Sequence, residues 1–445
     1  MIIRSAYLLC LVTIFGIAGC NSTTSEAPSA RGNDASAAPI EVAAFQGGYG
    51  IDFFEQAAKE LSDKTGAKVT VEGSPRIWEQ LRPRFIAGNP PDVTWPGWNM
   101  DYWALIYDGQ LLALDEALDG PAYEGTGTWR ESFEPSLLKL GMHEGKTYMM
   151  PYHYNVMGWW YDPKVFAANG WAPPKTYEEL LTLGEQIKAK GIAPLTFQGQ
   201  YPYYMLYGFL FPWVISAGGM QAMDNMQNLE PGAWNAPAVI KAASMIAELR
   251  DKGFFQKGAM GLSHTESQTE FLQGRAAMIP CGTWLYAEMK ETMPPSAAIE
   301  FMRVPMLAEG VGDPTALQIG IEPWVVPIKA KNAPGGIEYL KYITSLPKAK
   351  QFVEEKGTLM GIRGTDEAEV PAHLREAAKA FQESKSVFSA EYRMWYPAFG
   401  KEVENAMAAL LNGQITPAQF GERCEREAEK VRKDSSIKKH RYQSS

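Results

Sequence analysis

Residues 40–73 read IEVAAFQGGYGIDFFEQAAKELSDKTGAKVTVEG, and this stretch carries the clearest sign of the fold class. Residues 40–45 form a short apolar run, which predicts a strand. Apolar residues then recur at helical spacing over residues 51–61, and Gly66 is typical of the residue that follows a helix. Residues 69–71 alternate between apolar and polar, which predicts a second strand. A strand, a helix and a strand in this order indicate an α/β fold.

The same alternation continues along the chain. Residues 78–85 predict a helix, and residues 91–93 begin a short strand. Thr176 and Glu179 have the spacing of a capping box, so a helix begins there. The apolar spacing predicts further amphipathic helices over residues 236–252, 336–345 and 402–411.

The composition excludes several classes of protein. The chain has 445 residues, of which 46% are hydrophobic and 21% charged, so it is long enough for two or more domains. Its net charge of -9 argues against nucleic acid as a partner. Four cysteines in this length cannot form a disulfide framework. The aromatic content is high, with 13 Trp, 20 Tyr and 19 Phe, and a core alone rarely needs so many tryptophans.

The N-terminus predicts secretion and a lipid anchor. Arg4 precedes an apolar run over residues 6–18, which is too short to span a bilayer and is typical of a signal peptide at residues 1–19. Residues 17–20 read IAGC and resemble a bacterial lipobox, so Cys20 is the expected lipid attachment site. The alternative is an ordinary secretion signal with a chance cysteine.

A tether follows the anchor at residues 20–39. It is rich in Ser, Thr, Ala, Pro and Gly and has no large apolar residue, so it cannot contribute to a core. The folded part is therefore expected to begin near Ile40, in the cell envelope outside the cytoplasmic membrane. Cys281 and Cys424 remain in it, and the sequence leaves open whether they pair.

Motifs for catalysis, metals or cofactors are scarce. Residues 141–147 are similar to a phosphate-binding loop, but three residues separate the glycines where that loop needs four. We interpret this segment as a turn between two strands. The sequence has no HExxH, CxxC or GxSxG motif, and its five histidines are scattered. We therefore predict no catalytic residue, no metal and no cofactor, although a glycosidase carboxylate pair remains open.

Aromatic residues beside short polar ones mark several segments that we interpret as loops. A sugar ring has an apolar C–H face that stacks on an aromatic plane and a rim of hydroxyls that needs donors and acceptors. Such segments are therefore candidate ligand contacts, whereas core packing is the competing interpretation for any single tryptophan. The candidate substrate-binding residues are Trp95, Asn99, His153, Asn155, Gln198, Tyr203, Trp284, Glu322, Trp324 and Trp395.

Several motifs resemble the extracellular solute-binding proteins of sugar ABC importers. Residues 145–152, 160–166 and 173–180 are similar to the central signature of that family. Residues 271–284 resemble a second signature, and residues 412–417 resemble a third. Within the family, residues 97–102, 198–204, 228–234 and 279–284 resemble the binding proteins for N-acetylglucosamine and diacetylchitobiose.

This resemblance implies a two-lobe fold of the periplasmic-binding-protein type (type II), with a ligand cleft between lobes joined by crossing strands. Lobe 1 would hold residues 40–154 and 319–360, and lobe 2 would hold residues 155–318 and 361–433. Residues 434–445 are predicted to be a frayed tail.

The resemblance also implies partners. A carbohydrate would be captured by closure of the lobes and delivered to an ABC permease driven by a separate ATPase. A monomer is expected, with membrane contact only through the lipid anchor. Two alternatives stay open at this point: a secreted glycosidase or lyase that uses the same cleft, and a sugar-sensing module for a membrane receptor.

Overall fold

The computed structural model describes residues 38–97 and 100–442. The predictions for the signal peptide, for Cys20 and for most of the tether therefore lie outside the described residues, as does Asn99. No helix within the described ranges is long and apolar enough to cross a membrane.

The strands are short apart from two that cross the middle of the molecule. In chain order they are β1 (Ile40–Phe45), β2 (Val69–Ser74), β3 (Val93–Trp95), β4 (Met142–His143), β5 (Lys146–Thr147), β6 (Met150–Tyr161), β7 (Ala193–Leu195), β8 (Ala276–Gly282), β9 (Glu300–Met302), β10 (Leu317–Trp324), β11 (Leu359–Met360) and β12 (Val387–Phe388).

Helices separate most of these strands. They are α1 (Asp52–Thr65), α2 (Ile77–Ala87), α3 (Tyr102–Tyr107), α4 (Asp115–Asp119), α5 (Pro135–Leu140), α6 (Pro163–Asn169), α7 (Tyr177–Ala189), α8 (Tyr203–Met205), α9 (Phe211–Gly218), α10 (Met220–Gln227), α11 (Pro237–Asp251), α12 (His264–Leu272), α13 (Leu285–Met289), α14 (Ala333–Ile343), α15 (Leu346–Lys356), α16 (Arg375–Glu383), α17 (Tyr392–Trp395), α18 (Pro397–Leu411) and α19 (Pro417–Lys433). A π-helical stretch, Leu206–Leu210, joins α8 to α9.

The α/β class predicted from residues 40–73 is confirmed. β1, α1 and β2 follow one another there, and Gly66 ends α1 in the left-handed region at φ 75°. Thr176 and Glu179 form the predicted capping box at the start of α7. The segment similar to a phosphate loop is a turn between β4 and β5, where Glu144 and Gly145 both have positive φ.

Two sheets organise the molecule. The first has three parallel strands in the order β2-β1-β3. The second runs β12-β10-β6-β8-β7, with β9 and β11 also paired to β6. β6 and β10 pair in antiparallel fashion, with a register shift where Pro323 lies opposite Pro151. Proline has no N–H to donate to a ladder, which accounts for the irregularity at this point.

One hydrophobic core draws on residues 40–152 together with residues 324–368. A larger core surrounds α9, α11, α18 and α19. In sequence, most of the residues of the first core come before β6 or after β10. The lobe boundaries stated above remain a prediction.

The chain after α19 differs from the expected frayed tail. His440 is buried, and Tyr442 exchanges two backbone hydrogen bonds with the Asn228 side chain. The aromatic residues at 440 and 442 give this polar segment enough contact area to pack. Its polar composition did not predict this packing. Of the cysteines that the structure describes, Cys281 and Cys424 are both free and buried.

Candidate functional site

The crossing strands bring three predicted site residues to one face. His153 lies opposite Glu322 in the antiparallel register, and Asn155 is two residues further along β6. Residues directly opposite each other, and residues two apart, share a face of the sheet. Asn155 itself lies opposite Gly320, which has no side chain. The Asn155 amide is therefore free to reach diagonally to Glu322.

Glu322 is the centre of a buried hydrogen-bond network. Trp95 Nε1 donates to its Oε2 at 3.3 Å, and Asn155 Nδ2 donates to its Oε1 at 3.4 Å. The Thr283 hydroxyl donates to Asn155 Oδ1 at 3.2 Å, so the network extends to the loop after β8. Burial raises the pKa of the Glu322 carboxyl to about 8, and the Trp95 bond opposes this only in part. The carboxyl is therefore largely protonated at neutral pH.

His153 is a neutral imidazole in an aromatic setting. It is 1% exposed, and burial lowers its pKa to about 3. Tyr49 and Trp95 meet the ring edge-on, with centroids 5.1 and 5.2 Å away. Neither ring nitrogen has a hydrogen-bond partner among the residues that the structure describes. A buried polar atom in this state lacks about 1–3 kcal/mol of stabilisation that a ligand could restore.

Tyr49, which the sequence analysis missed, belongs to the site through its edge-on contact with His153, with ring centroids 5.1 Å apart. Burial raises the pKa of Tyr49 to about 12, a hydrogen bond with Thr358 opposes this, and the charges of Glu322 and Glu288 add smaller increases. Glu288 belongs to α13, far along the chain from β10, so Tyr49 lies within electrostatic reach of both segments. Its position in the glycine-rich loop after β1 was the available signal, because a flanking glycine on each side favours an exposed loop.

Trp284 continues the site from Thr283. Its ring lies directly over Gly282, where an added Cβ would be 2.1 Å from ring carbon Cζ3. The indole is half-buried, with its ring centroid 6.4 Å from that of Tyr204. Glycine at 282 thus allows a large aromatic plane to lie flat on the strand end with part of its surface uncovered.

Tyr203 is held between two partners. It stacks on Tyr204 with centroids 4.7 Å apart, and the Arg393 guanidinium carbon is 4.2 Å from its ring centroid. Arg393 Nε donates to Glu404 at 2.8 Å, which fixes the guanidinium over the ring. Arg393 is adjacent to the predicted Trp395 region but was not itself predicted. Its position two residues before Trp395, in the short helix α17, was the available signal.

A second hydrogen-bond network supports Tyr204. The Tyr204 hydroxyl is 2.8 Å from His264 Nδ1, and His264 Nε2 is 2.6 Å from Glu288 Oε2. Gln268 Nε2 also donates to Glu288 Oε2, at 2.8 Å. These bonds tie α8, α12 and α13 together behind Tyr203 and Trp284. The scattered histidines of the sequence gave no indication of this hydrogen-bond network.

The remaining predicted residues that the structure describes form no hydrogen bond with the Glu322 network. Gln198 is fully buried and donates to the Pro280 carbonyl at 2.8 Å, so it packs against β8. Trp324 is also fully buried, with Phe54 at 5.1 Å between centroids, and belongs to the first core. Trp395 is 8% exposed and contacts Trp103 edge-on at 5.6 Å. Asn99 lies outside the described residues.

Other features in the described ranges do not compete with this site. A cavity of about 640 Å³ lies between α11 and the loop before α19, and is lined by ordinary surface residues such as Arg250 and Gln414. No group of three or more His, Cys, Asp or Glu within residues 38–97 and 100–442 could hold a metal ion.

The fold is the two-lobe α/β fold of solute-binding proteins. The family model for bacterial extracellular solute-binding proteins matches residues 56–368, and the chain belongs to that family. Solved structures of sugar-binding proteins share its two-lobe α/β fold, as the sequence predicted.

Individual relatives are similar over most of their length. The diacetylchitobiose binding protein NgcE of Streptomyces coelicolor is 28% identical over 414 residues, which cover 90% of this chain and 86% of the relative. A solved chitin oligosaccharide binding protein superposes with a TM-score of 0.67 and 23% identity, covering 85% of this chain and 94% of that one. The apo form of RafE from Streptococcus pneumoniae superposes with a TM-score of 0.72 and 18% identity, covering 89% and 99%.

Proposed function

We propose that this chain is the substrate-binding lipoprotein of a carbohydrate ABC importer. It captures an amino sugar, N-acetylglucosamine or diacetylchitobiose, between its lobes outside the cytoplasmic membrane. The loaded, closed form then docks on a membrane permease that a separate ATPase drives. The chain itself performs no chemistry on the sugar.

The Glu322 network is the observation that carries this proposal. Trp95, Asn155 and His153 surround a carboxyl that is neutral at physiological pH, so the buried surface is aromatic, polar and largely uncharged. Such a surface suits a ligand with an apolar ring face and uncharged hydroxyl and amide groups. An N-acetyl group offers one N–H donor, one C=O acceptor and a methyl, which match carboxyl and amide groups beside indole rings.

The names of the relatives support the sugar class, since those of NgcE and of the solved chitin oligosaccharide binding protein both refer to chitin fragments. A glycosidase using this cleft would cleave such fragments, whereas a binding protein returns them intact. Incubation of the purified protein with diacetylchitobiose, followed by chromatography of the sugar, separates these two functions.

Calorimetry with N-acetylglucosamine, diacetylchitobiose and glucose tests the sugar assignment. The acetylated sugars should bind more tightly than glucose, because each polar group left unpaired costs about 1–3 kcal/mol, roughly 5- to 150-fold in affinity. Asn155→Ala should reduce this preference, since the amide supplies donors and an acceptor at the centre of the network.

Asn412→Ala is the matched control, because Asn412 is exposed at the end of α18. It should leave both affinity and preference unchanged. Equal affinity of the wild type for glucose and for the acetylated sugars would contradict the N-acetyl assignment, while binding of any sugar would still support an importer component.

Lipid attachment at Cys20 gives a separate prediction. Residues 17–20 resemble a lipobox, and only a cysteine at the cleavage site can receive the thioether-linked lipid. Cys20→Ala should release the protein from the membrane fraction or leave it unprocessed, as judged by fractionation and mass spectrometry. A mature Cys20→Ala protein that stays with membranes would show that another feature holds it there.

A further inference from the structure

The C-terminal strap, residues 437–442, is anchored to the part of the chain that we assign to lobe 2. Tyr442 N donates to Asn228 Oδ1 at 2.6 Å, and the Asn228 amide donates to the Tyr442 carbonyl at 2.9 Å. Ser389 N donates to the Tyr442 hydroxyl at 2.8 Å. His440 N donates to the Tyr396 hydroxyl at 2.9 Å. These directional bonds fix the strap along α10 and the start of α18.

The same strap reaches α3, which belongs to the segment that we assign to lobe 1. The His440 imidazole stacks on the Tyr107 ring, with centroids 4.1 Å apart and planes at 21°. The Lys438 ammonium is 4.2 Å from the centroid of the same ring. Tyr107 is held from its own side by His143 of β4, whose ring meets it edge-on at 4.9 Å.

The two attachments differ in kind. Within the described residues, the hydrogen bonds that the strap makes outside itself go to Asp434, Glu230, Asn228, Ser389 and Tyr396, whereas Tyr107 is contacted by a ring and an ammonium group. Stacking contacts form and separate without a fixed partner geometry, unlike a set of backbone hydrogen bonds. Separation of the strap should therefore occur at Tyr107.

A second set of contacts also joins α3, in the segment assigned to lobe 1, to the segment assigned to lobe 2. Trp103 Nε1 on α3 donates to Glu391 Oε2 beside α17 at 2.8 Å, and the Trp103 ring meets Trp395 at 5.6 Å. Trp395 in turn lies 5.2 Å from the His440 ring. The strap thus covers the place where α3 and α17 come together.

The docked position of the strap also carries a cost that favours its release from α3. Trp395 Nε1 and His440 Nδ1 are buried without a hydrogen-bond partner in the part of the chain that the structure describes. Water would hydrogen-bond both atoms once the strap left α3. The free-energy difference between the docked and released states is therefore smaller than the contacts alone would give.

We propose that the strap is a latch: it stays with lobe 2 and holds the closed form by seating His440 and Lys438 on Tyr107. Opening of the cleft breaks this seat while the hydrogen bonds to Asn228 and Tyr396 persist. The latch belongs to the fold and acts whichever ligand the cleft takes, so it goes beyond the proposed sugar specificity.

Three variants test the latch: Tyr107→Ala, His440→Ala and the double variant. Lys439→Ala is the matched control, because the hydrogen bonds of its ammonium within the described residues go to the Asp434 and Ile437 carbonyls and not to α3. Small-angle scattering of the ligand-free proteins measures the fraction that is open. Each latch variant should show a larger radius of gyration than the wild type, and the control should not.

Dissociation of bound sugar, followed by tryptophan fluorescence, gives the second readout. Each single variant should dissociate about twofold to tenfold faster, the range expected for loss of one aromatic pair. The double variant should add little, because both changes remove the same contact. Tyr107→Leu repeats the test with a smaller change of volume should Tyr107→Ala fold poorly.

An unchanged radius of gyration together with an unchanged dissociation rate would overturn the latch, even where the melting temperature falls. The scattering arm requires no ligand, so failure of the proposed sugar to bind would leave this test intact. Additive effects of the two single changes would also contradict a shared contact.

Discussion

Replacing Glu322 by Gln should remove a loss of stability that we expect of the wild-type protein as pH rises between about 4.5 and 8. The folded carboxyl has a pKa near 8, while its ordinary value is 4.5. Between those values the unfolded chain releases a proton that the folded chain keeps. Stability is then full below pH 4.5, falls by about 1.4 kcal/mol per pH unit through this window, and levels above pH 8.

The wild-type protein should lose roughly 3–5 kcal/mol of unfolding free energy in total by pH 8.5, because Glu322 is buried and solvent screens it little. Glutamine keeps the size of the side chain and cannot ionise. Its amide fits the network if the Asn155 amide turns over, since the Thr283 hydroxyl can accept as well as donate. Glu322→Gln should therefore be more stable than the wild type at pH 8.5 and similar to it at pH 5.

Urea unfolding from pH 5 to 9 measures this difference directly. The difference between the two curves isolates Glu322, because other titrating groups are common to both proteins. Glu291→Gln is the matched control, since Glu291 is exposed on the surface. Parallel curves for the wild type and Glu322→Gln across this range would show that the folded carboxyl titrates normally.

Local patterns predicted the elements of the fold well. The apolar spacing over residues 51–61, the capping box at Thr176 and the turn at residues 141–147 all depend on neighbours in sequence, and all three are present. The pairing of β6 with β10 joins residues that are more than 150 positions apart. The sequence analysis did not predict this pairing, because the family resemblance implied only that strands cross between the lobes.

The site was predicted less completely, for a physical reason. Glu322 and Trp324 are two residues apart and both lie near Trp95, yet one is in the polar network and the other in the core. Sequence spacing gives the face of a strand but not the point along it where a cleft ends and a core begins. Gln198 stays a predicted ligand residue: its Nε2 donates to the Pro280 carbonyl of β8, while its Oε1 has no hydrogen-bond partner within the described residues.

For the C-terminal segment, the sequence predicted less packing than the structure shows. Its charged residues predicted fraying, but His440 and Tyr442 are enough to dock it because their partners are already fixed in α3, α10 and α18. Partners so distant in sequence leave no trace in the composition of the segment itself.

Trp324→Ala should cost about 3–5 kcal/mol of unfolding free energy, the usual range for truncating a fully buried tryptophan. Its ring packs against Phe54, Tyr152 and Tyr339, with centroids 5.1 to 6.0 Å away. Its indole nitrogen has no partner within the described residues, so the loss comes from contacts and a cavity rather than from a broken hydrogen bond. The ratio of affinities for acetylated sugar and glucose should not change.

Trp284→Ala is the matched comparison, because Trp284 is half-buried beside Thr283. It should weaken sugar binding by roughly 1–3 kcal/mol, by analogy with aromatic platforms that stack on nucleic-acid bases, and should affect stability less. Chemical unfolding and calorimetry on both variants separate the two roles. The opposite outcome, a Trp324→Ala protein of near wild-type stability with altered sugar preference, would place Trp324 in the binding surface and move the end of the cleft two residues further along β10.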